Sequence, residues 1–172
     1  MSEIRQRVDA EQAEYARDAQ EERPLVSYAG LLGVYGAGVA GLAALMVAAG
    51  RRIPERISIS DLALTAVATH RVSRTLAKDP VTSPLRAPFT RFKGTAGPAE
   101  LAEETRGRGI RKAIGELITC PFCLAQWAAT GFIGGLLVAP RATRAVAAVF
   151  AVVAASDTLQ LGYAALEKRA GG

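Results

Sequence analysis

Residues 29–50 read AGLLGVYGAGVAGLAALMVAAG, a stretch of 22 positions without a charged side chain. At a rise of about 1.5 Å per residue, a helix of this length reaches roughly 33 Å, enough to cross the hydrocarbon core of a bilayer. Soluble domains rarely contain about 18 or more consecutive apolar residues. The stretch therefore predicts a membrane-spanning helix and decides the fold class of the chain.

Three further segments extend this pattern. Residues 120–139 are uncharged, and residues 145–166 carry a single charged side chain, that of Asp157. Residues 57–77 are less apolar but also contain a run of small and aliphatic side chains, and near their start Ser58 and Asp61 match a helix-capping pattern. Because a lipid-exposed backbone must satisfy its own hydrogen bonds, each span is expected to be helical. The sequence thus predicts an all-α membrane protein with about four transmembrane helices in a small bundle.

The polar segments predict the orientation of the chain. Residues 1–27 form a polar, acidic tail, and residues 28–172 form the membrane domain, whose longest polar connection is the basic loop 78–114. With four crossings, the tail, this loop and the C-terminal end share one side and hold 14 Lys and Arg residues. The short loops at 51–56 and 141–144 hold 5. Since positively charged loops stay in the cytoplasm, we expect a multi-pass protein of the cell (inner) membrane with both termini cytoplasmic.

The basic loop mixes cations with aromatic rings. Arg86, Arg91 and Lys93 are interleaved with phenylalanines, a mixture typical of the headgroup region of a membrane. The net charge of +5 would suit nucleic acid or anionic lipid, but no nucleic-acid-binding signature is present. Anionic membrane lipids are therefore the predicted partners.

Prolines and periodicity predict the local structure of this loop. Three prolines recur at intervals of four residues, Pro80, Pro84 and Pro88. They indicate an extended or turning chain, not a helix. Pro98 suits the first position of a short helix over 99–105, and apolar residues at helical spacing over 110–118 predict a second one. Both are expected to lie at the membrane interface.

Several reactive or charged side chains are expected at a similar depth near the cytoplasmic ends of the crossings. Cys120 and Cys123 flank Pro121, which predicts that the third crossing begins at this proline, with Cys120 as its N-cap. The N-terminus of a helix stabilises thiolates. The other members of the constellation lie on the second and fourth crossings: His70, Arg71, Arg74 and Asp157.

Three interpretations of this constellation remain open. In the first, Asp157 pairs with Arg71 or Arg74 in a polar cluster. His70 is then hydrogen-bonded within the bundle, and the cysteines pack as small apolar side chains. In the second, the cysteine pair is a reversible dithiol, by analogy with quinone-linked thiol oxidases, which are four-helix membrane bundles with such a pair. Those enzymes usually carry a second cysteine pair, however, and face the oxidising side. In the third, the pair and His70, with or without Asp157, bind zinc or iron, or a homodimer supplies four cysteines.

A series of short motifs carries a resemblance to a known family. In chain order they are His70-Arg71 with Arg74, Asp79-Pro80-Val81-Thr82 with Pro84-Leu85-Arg86, Gly115-Glu116-Leu117, and Cys120-Pro121-Phe122-Cys123 with Trp127. The stretch from Asp61 to about Leu137 resembles the domain of unknown function 1360 (DUF1360), a family of bacterial integral membrane proteins with a sporulation-linked Bacillus member. The resemblance implies an integral membrane protein and supplies no agreed activity.

These observations favour a non-enzymatic membrane component. We expect a scaffold subunit that acts through helix packing and contacts with anionic lipid, in a homo-oligomer or a larger membrane complex. The alternative is a small membrane thiol oxidoreductase or metal-binding protein centred on Cys120 and Cys123. The sequence contains no phosphate-binding glycine loop, no nucleophile elbow and no paired-histidine metalloprotease motif.

Overall fold

The structure, a computed structural model, describes residues 2–17, 23–50 and 54–171. Arg51 and Arg52, which the sequence analysis counts in a short outer loop, lie outside these ranges, as do residues 18–22 of the N-terminal tail. Within the tail, helix α1 occupies Ser2–Tyr15.

Three helices in the described ranges are long and apolar enough to cross a membrane: α2 (Leu25–Ala48), α6 (Pro121–Val138) and α7 (Pro140–Ala170). They contain most of the predicted spans 29–50, 120–139 and 145–166, with ends displaced by a few residues. Only Ala139 separates α6 from α7, and Pro140 begins α7 because its fixed φ suits the first helical position.

The predicted span over 57–77 forms a helix, α3 (Ile59–Lys78), but one too polar to count among the three apolar helices. Its start is as expected, since the backbone N–H of Asp61 donates to Oγ of Ser58 at 3.1 Å. Charged side chains such as Arg71 lower its mean hydropathy. Length and composition therefore do not confirm a count of about four crossings.

A two-stranded antiparallel sheet in the basic loop corrects the all-α prediction. Strand β1 (Thr90–Gly97) pairs with β2 (Glu100–Thr105), where a helix was predicted over 99–105. Pro98 is followed by Ala99 with a φ of 58°, the left-handed conformation of a tight turn. The prediction failed because the fixed φ of proline suits the second position of a turn as well as the first position of a helix.

The first two prolines of the basic loop begin short helical turns. A 3-10 turn occupies Pro80–Thr82, and helix α4 occupies Ser83–Arg86. Pro80 and Pro84 each lie in the first turn of their element, where no backbone N–H is required. The prediction of a non-helical chain is therefore wrong for residues 80–86.

Helix α5 (Gly109–Thr119) is the second short helix predicted for the loop, and its place at the membrane interface stays a prediction. It approaches the hairpin closely at Gly115. A Cβ added there would lie 2.9 Å from the backbone oxygen of Phe89 and 3.1 Å from Cγ2 of Thr105. Only glycine permits this approach without a shift of the neighbouring backbone.

The chain divides into two compact units. One combines the chain up to Gly41 with Ala77–Cys120, and we call Ala77–Cys120 the loop subdomain. The other combines Leu42–Leu76 with Pro121–Gly172. Every member of the constellation that the sequence singles out lies in this second unit except Cys120, the last residue of the first.

Candidate functional site

A buried arginine lies at the centre of the loop subdomain. Arg86, the last residue of α4, is 1% exposed. Its Nη1 donates to Oγ1 of Thr82 at 2.6 Å, and its Nη2 donates to the backbone oxygen of Asp79 at 3.1 Å. Its Nε donates to the carboxylate of Glu103 on β2. One guanidinium therefore holds the two helical turns against the hairpin.

Arg86, Arg91 and Lys93 were all predicted to contact lipid headgroups. For Arg86 the prediction is wrong, because its guanidinium is buried against Glu103. Arg91 and Lys93 are exposed on β1, so their contact with lipid stays a prediction. Nζ of Lys93 lies 2.5 Å from Oε2 of Glu104, and this hydrogen bond holds the pKa of Glu104 below its usual value.

Glu116 connects α5 to the start of α2. The hydroxyl of Tyr28, in the first turn of α2, donates to Oε2 of Glu116. Nη1 of Arg23 lies 3.2 Å from Oε1 of the same carboxylate, and Nζ of Lys112 lies 4.0 Å from that oxygen. A network of charge-assisted hydrogen bonds therefore joins the loop subdomain to the first turn of α2.

In the second unit, two ion pairs connect α3 with α7. Nε and Nη2 of Arg144 donate to the two carboxylate oxygens of Asp61 at 2.7 and 2.8 Å, the bidentate geometry that makes such pairs strong. Nε of Arg71 lies 3.1 Å from Oδ2 of Asp157, one of the two pairings that the sequence predicts. Residue numbers rise along both helices from the first pair to the second, so α3 and α7 run in the same direction.

The other two members of the constellation on α3, His70 and Arg74, are close to Arg71 in the sequence. His70 is exposed, and its backbone oxygen accepts a hydrogen bond from Oγ of Ser73 at 3.0 Å. Arg74 is half-buried on the same helix. The hydrogen bond predicted for the His70 ring stays a prediction.

The cysteine pair marks the junction of α5 and α6. Helix α6 begins at Pro121 as predicted, after an extended Cys120 that is half-buried, and Cys123 is exposed as its third residue. Neither cysteine forms a disulfide. Across the described ranges, no group of three or more His, Cys, Asp or Glu side chains is placed to hold a metal ion. Binding of zinc or iron by the pair and His70 therefore gains no support from the geometry and stays a prediction.

Sequence reasoning missed two of these pairs. It explained Asp61 as a helix cap and left Arg144 in an outer loop, although opposite charges at the edges of two apolar segments were a usable signal. It also placed Glu103 in a predicted helix. The hairpin that brings Glu103 to Arg86 depends on the turn after Pro98, a residue that equally suits the start of a helix.

These features define a class of protein: apolar helices of membrane-crossing length joined to a small helix-and-hairpin subdomain around a buried Arg–Glu pair. The family model described as "Protein of unknown function (DUF1360)" matches residues 64–163, more than half of the chain. The chain therefore belongs to the DUF1360 family, which confirms the resemblance seen in its motifs.

A curated relative supports the same assignment. The chain is 28% identical over 102 residues to "Sporulation protein YjcA" of Bacillus subtilis (strain 168), and the alignment covers 58% of this chain and 86% of that protein. No solved structure matches the chain.

Replacing Glu103 by Gln should destabilise the folded chain by about 3–5 kcal/mol, because the buried Arg86 charge loses its counter-ion. The adjacent Glu104→Gln is the matched control, since both partners of the Lys93–Glu104 pair are more than half exposed. Exposed pairs contribute about 0–1 kcal/mol. Thermal unfolding of the full-length protein in detergent measures both variants, and equal midpoints would contradict the structural role of Arg86.

Proposed function

We propose that this chain is a non-enzymatic membrane component, a scaffold or subunit that crosses the cell membrane four times. Both termini lie in the cytoplasm, and the basic loop contacts anionic lipid. The three apolar helices supply three of the crossings, and α3 supplies the fourth. The loop, with eight basic and four acidic residues over 78–114, is the surface that anionic lipid attracts.

The two ion pairs between α3 and α7 are the observation that carries this proposal. A charged side chain at the centre of a bilayer costs about 2.5–3.5 kcal/mol on the insertion scale. Asp61 and Arg71 on α3 each lie against an opposite charge on α7, which offsets much of that cost. The low hydropathy of α3 is therefore compatible with a crossing beside α7.

The direction of the two helices supports the same topology. In a four-crossing chain, the second and fourth crossings both return to the cytoplasm and so run in the same direction, as α3 and α7 do. Between Arg144 and Asp157, α7 contains no charged residue. The part of α3 between its two ion pairs is thus attached to an apolar stretch, which favours a place within the bilayer over one in a soluble loop.

The contacts made by the charged residues of the motifs support a structural role. Arg86 joins helical turns to the hairpin, Glu116 joins α5 to α2, and Arg71 joins α3 to α7. Each of these residues connects two elements of the fold, as expected in a structural protein. A structural membrane role is also compatible with the name of the Bacillus relative, a sporulation protein.

Asp157→Ala should lower the yield of folded protein, because it strands the Arg71 charge beside an apolar helix. Adding Arg71→Ala should restore part of the yield, since no charge is then left without a partner. Adding Arg74→Ala instead is the matched control and should restore nothing. Size-exclusion chromatography of detergent extracts measures the folded fraction, and equal recovery in both double variants would refute the assigned pair.

The topology predicts which loops can be reached from outside. An epitope inserted after Pro98 in the hairpin turn, or after the C-terminus, should bind antibody only once the membrane is permeabilised. An epitope inserted after Glu55 should bind antibody on intact spheroplasts, because this loop belongs to the side that holds 5 Lys and Arg residues against 14 on the other. Antibody binding to the hairpin epitope on intact spheroplasts would overturn the four-crossing arrangement.

A small membrane thiol oxidoreductase or metal-binding protein is the second candidate function. The exposure of Cys123 in the first turn of α6 favours it, since helix N-termini stabilise thiolates. Thiol titration and metal analysis of the purified protein separate the two functions. A scaffold should show two inert thiols and no metal, whereas reversible oxidation, or about one zinc or iron per chain, would favour the second candidate.

A further inference from the structure

The loop subdomain buries several polar side chains and leaves some large apolar ones exposed. Among its buried residues are Arg86, Thr90 and Lys112 at 1%, 4% and 8% exposure. Three of its large apolar side chains are outside instead: Val81, Leu85 and Phe92 are 80%, 66% and 65% exposed. A small soluble domain places such side chains inside, so this outer surface fits an apolar neighbour.

Leu85 and Phe92 lie toward the same side of the hairpin. Phe92 and Glu103 are directly paired across the two strands, so their side chains are on one face of the sheet. Glu103 uses this face to contact Arg86 of α4, the residue that follows Leu85. Val81 precedes Leu85 by one helical turn. The Arg86–Glu103 pair thus fixes the positions from which these apolar side chains project.

Charge and chain connectivity indicate what the apolar surface meets. Arg91 and Lys93 precede and follow Phe92 in β1 and are exposed, and Arg91, which pairs with Glu104, lies on the opposite face of the hairpin from Phe92. Arg108 is a further exposed arginine of the loop subdomain. This combination of apolar and cationic side chains complements the interface of an anionic bilayer. The bond between Tyr28 and Glu116 also holds the subdomain at the first turn of α2, a helix of membrane-crossing length.

We propose that Val81, Leu85 and Phe92 form an apolar wedge that inserts into the bilayer interface, while Arg91 and Lys93 contact the lipid phosphates. The inference rests on the proposed function, in which the basic loop lies at the membrane surface. It adds that the loop penetrates the leaflet with its own side chains and is not held there by charge alone. The Pro-Val-Thr-Ser-Pro-Leu-Arg turns supply Val81 and Leu85, and β1 supplies Phe92.

Site-specific photo-cross-linking in the full-length protein tests the wedge. A benzophenone amino acid replaces Val81, Leu85 or Phe92 in separate variants, and Ala96, which is exposed on the same hairpin, is the control position. The variants are reconstituted in vesicles of phosphatidylcholine and phosphatidylglycerol, irradiated and analysed by mass spectrometry. Variants whose thermal unfolding matches that of the parent are compared.

Lipid adducts should form at the three wedge positions and be nearly absent at the control position, Ala96. Arg91→Glu combined with Lys93→Glu should reduce adducts at Phe92 in the anionic vesicles and leave them unchanged in phosphatidylcholine alone. Protein adducts at the wedge would show a second copy or another protein on this surface and would overturn the proposal. Equal lipid adducts at all four positions, or none, would overturn it as well.

The epitope experiment distinguishes a failure of this inference from a failure of the proposed function. Lipid adducts together with a hairpin epitope that is accessible from outside would refute the cytoplasmic topology and leave the wedge intact. A cytoplasmic epitope without lipid adducts would refute the wedge alone.

Discussion

The cost of holding a charge away from water is the constraint on which this structure depends. A charge removed from water is tolerated when an opposite charge and further hydrogen-bonding groups surround it. Arg86 meets this condition with Glu103, the hydroxyl of Thr82 and a backbone oxygen. Because these groups come from two helical turns and a hairpin, satisfying one guanidinium fixes the relative positions of three elements.

Ion pairs also connect α3 with α7. A helix with a carboxylate near its start and a guanidinium in its middle could not lie against apolar helices by hydrophobic burial alone. Arg144 and Asp157 supply the complementary charges on α7, in the order that a parallel arrangement requires. Two pairs at separate levels fix both the direction and the register of α3 along α7, which a single pair would leave open.

Sequence reasoning succeeded where one physical effect dominates. Long uncharged runs predicted α2, α6 and α7 because helices are the way such segments satisfy their backbone in lipid. Pro121 predicted the start of α6 because its fixed φ suits that position and no competing signal was present. Arg71 and Asp157 were matched because charges inside apolar segments need partners, although the sequence could not separate Arg71 from Arg74.

It failed where local signals were compatible with two structures. Pro98 suits a helix start and a turn equally, and the choice was made by pairing between β1 and β2, which no local pattern encodes. The error then extended to Arg86, because a cation in a polar loop is expected to be exposed unless its carboxylate partner is known. Asp61 was likewise explained by Ser58, which does cap α3, and this local explanation concealed the longer-range pair with Arg144.

The residues of the motifs that carry the family resemblance differ in what they contact. Asp79, Thr82 and Arg86 close one end of the loop subdomain around a guanidinium, and Gly115 allows the backbone of α5 to approach Phe89. None of these contacts requires a ligand. An apolar crossing tolerates many exchanges of one aliphatic side chain for another, whereas a buried ion pair and a glycine in close contact tolerate few. Packing and electrostatics within the loop subdomain are therefore sufficient to explain Asp79, Thr82, Arg86 and Gly115 of these motifs.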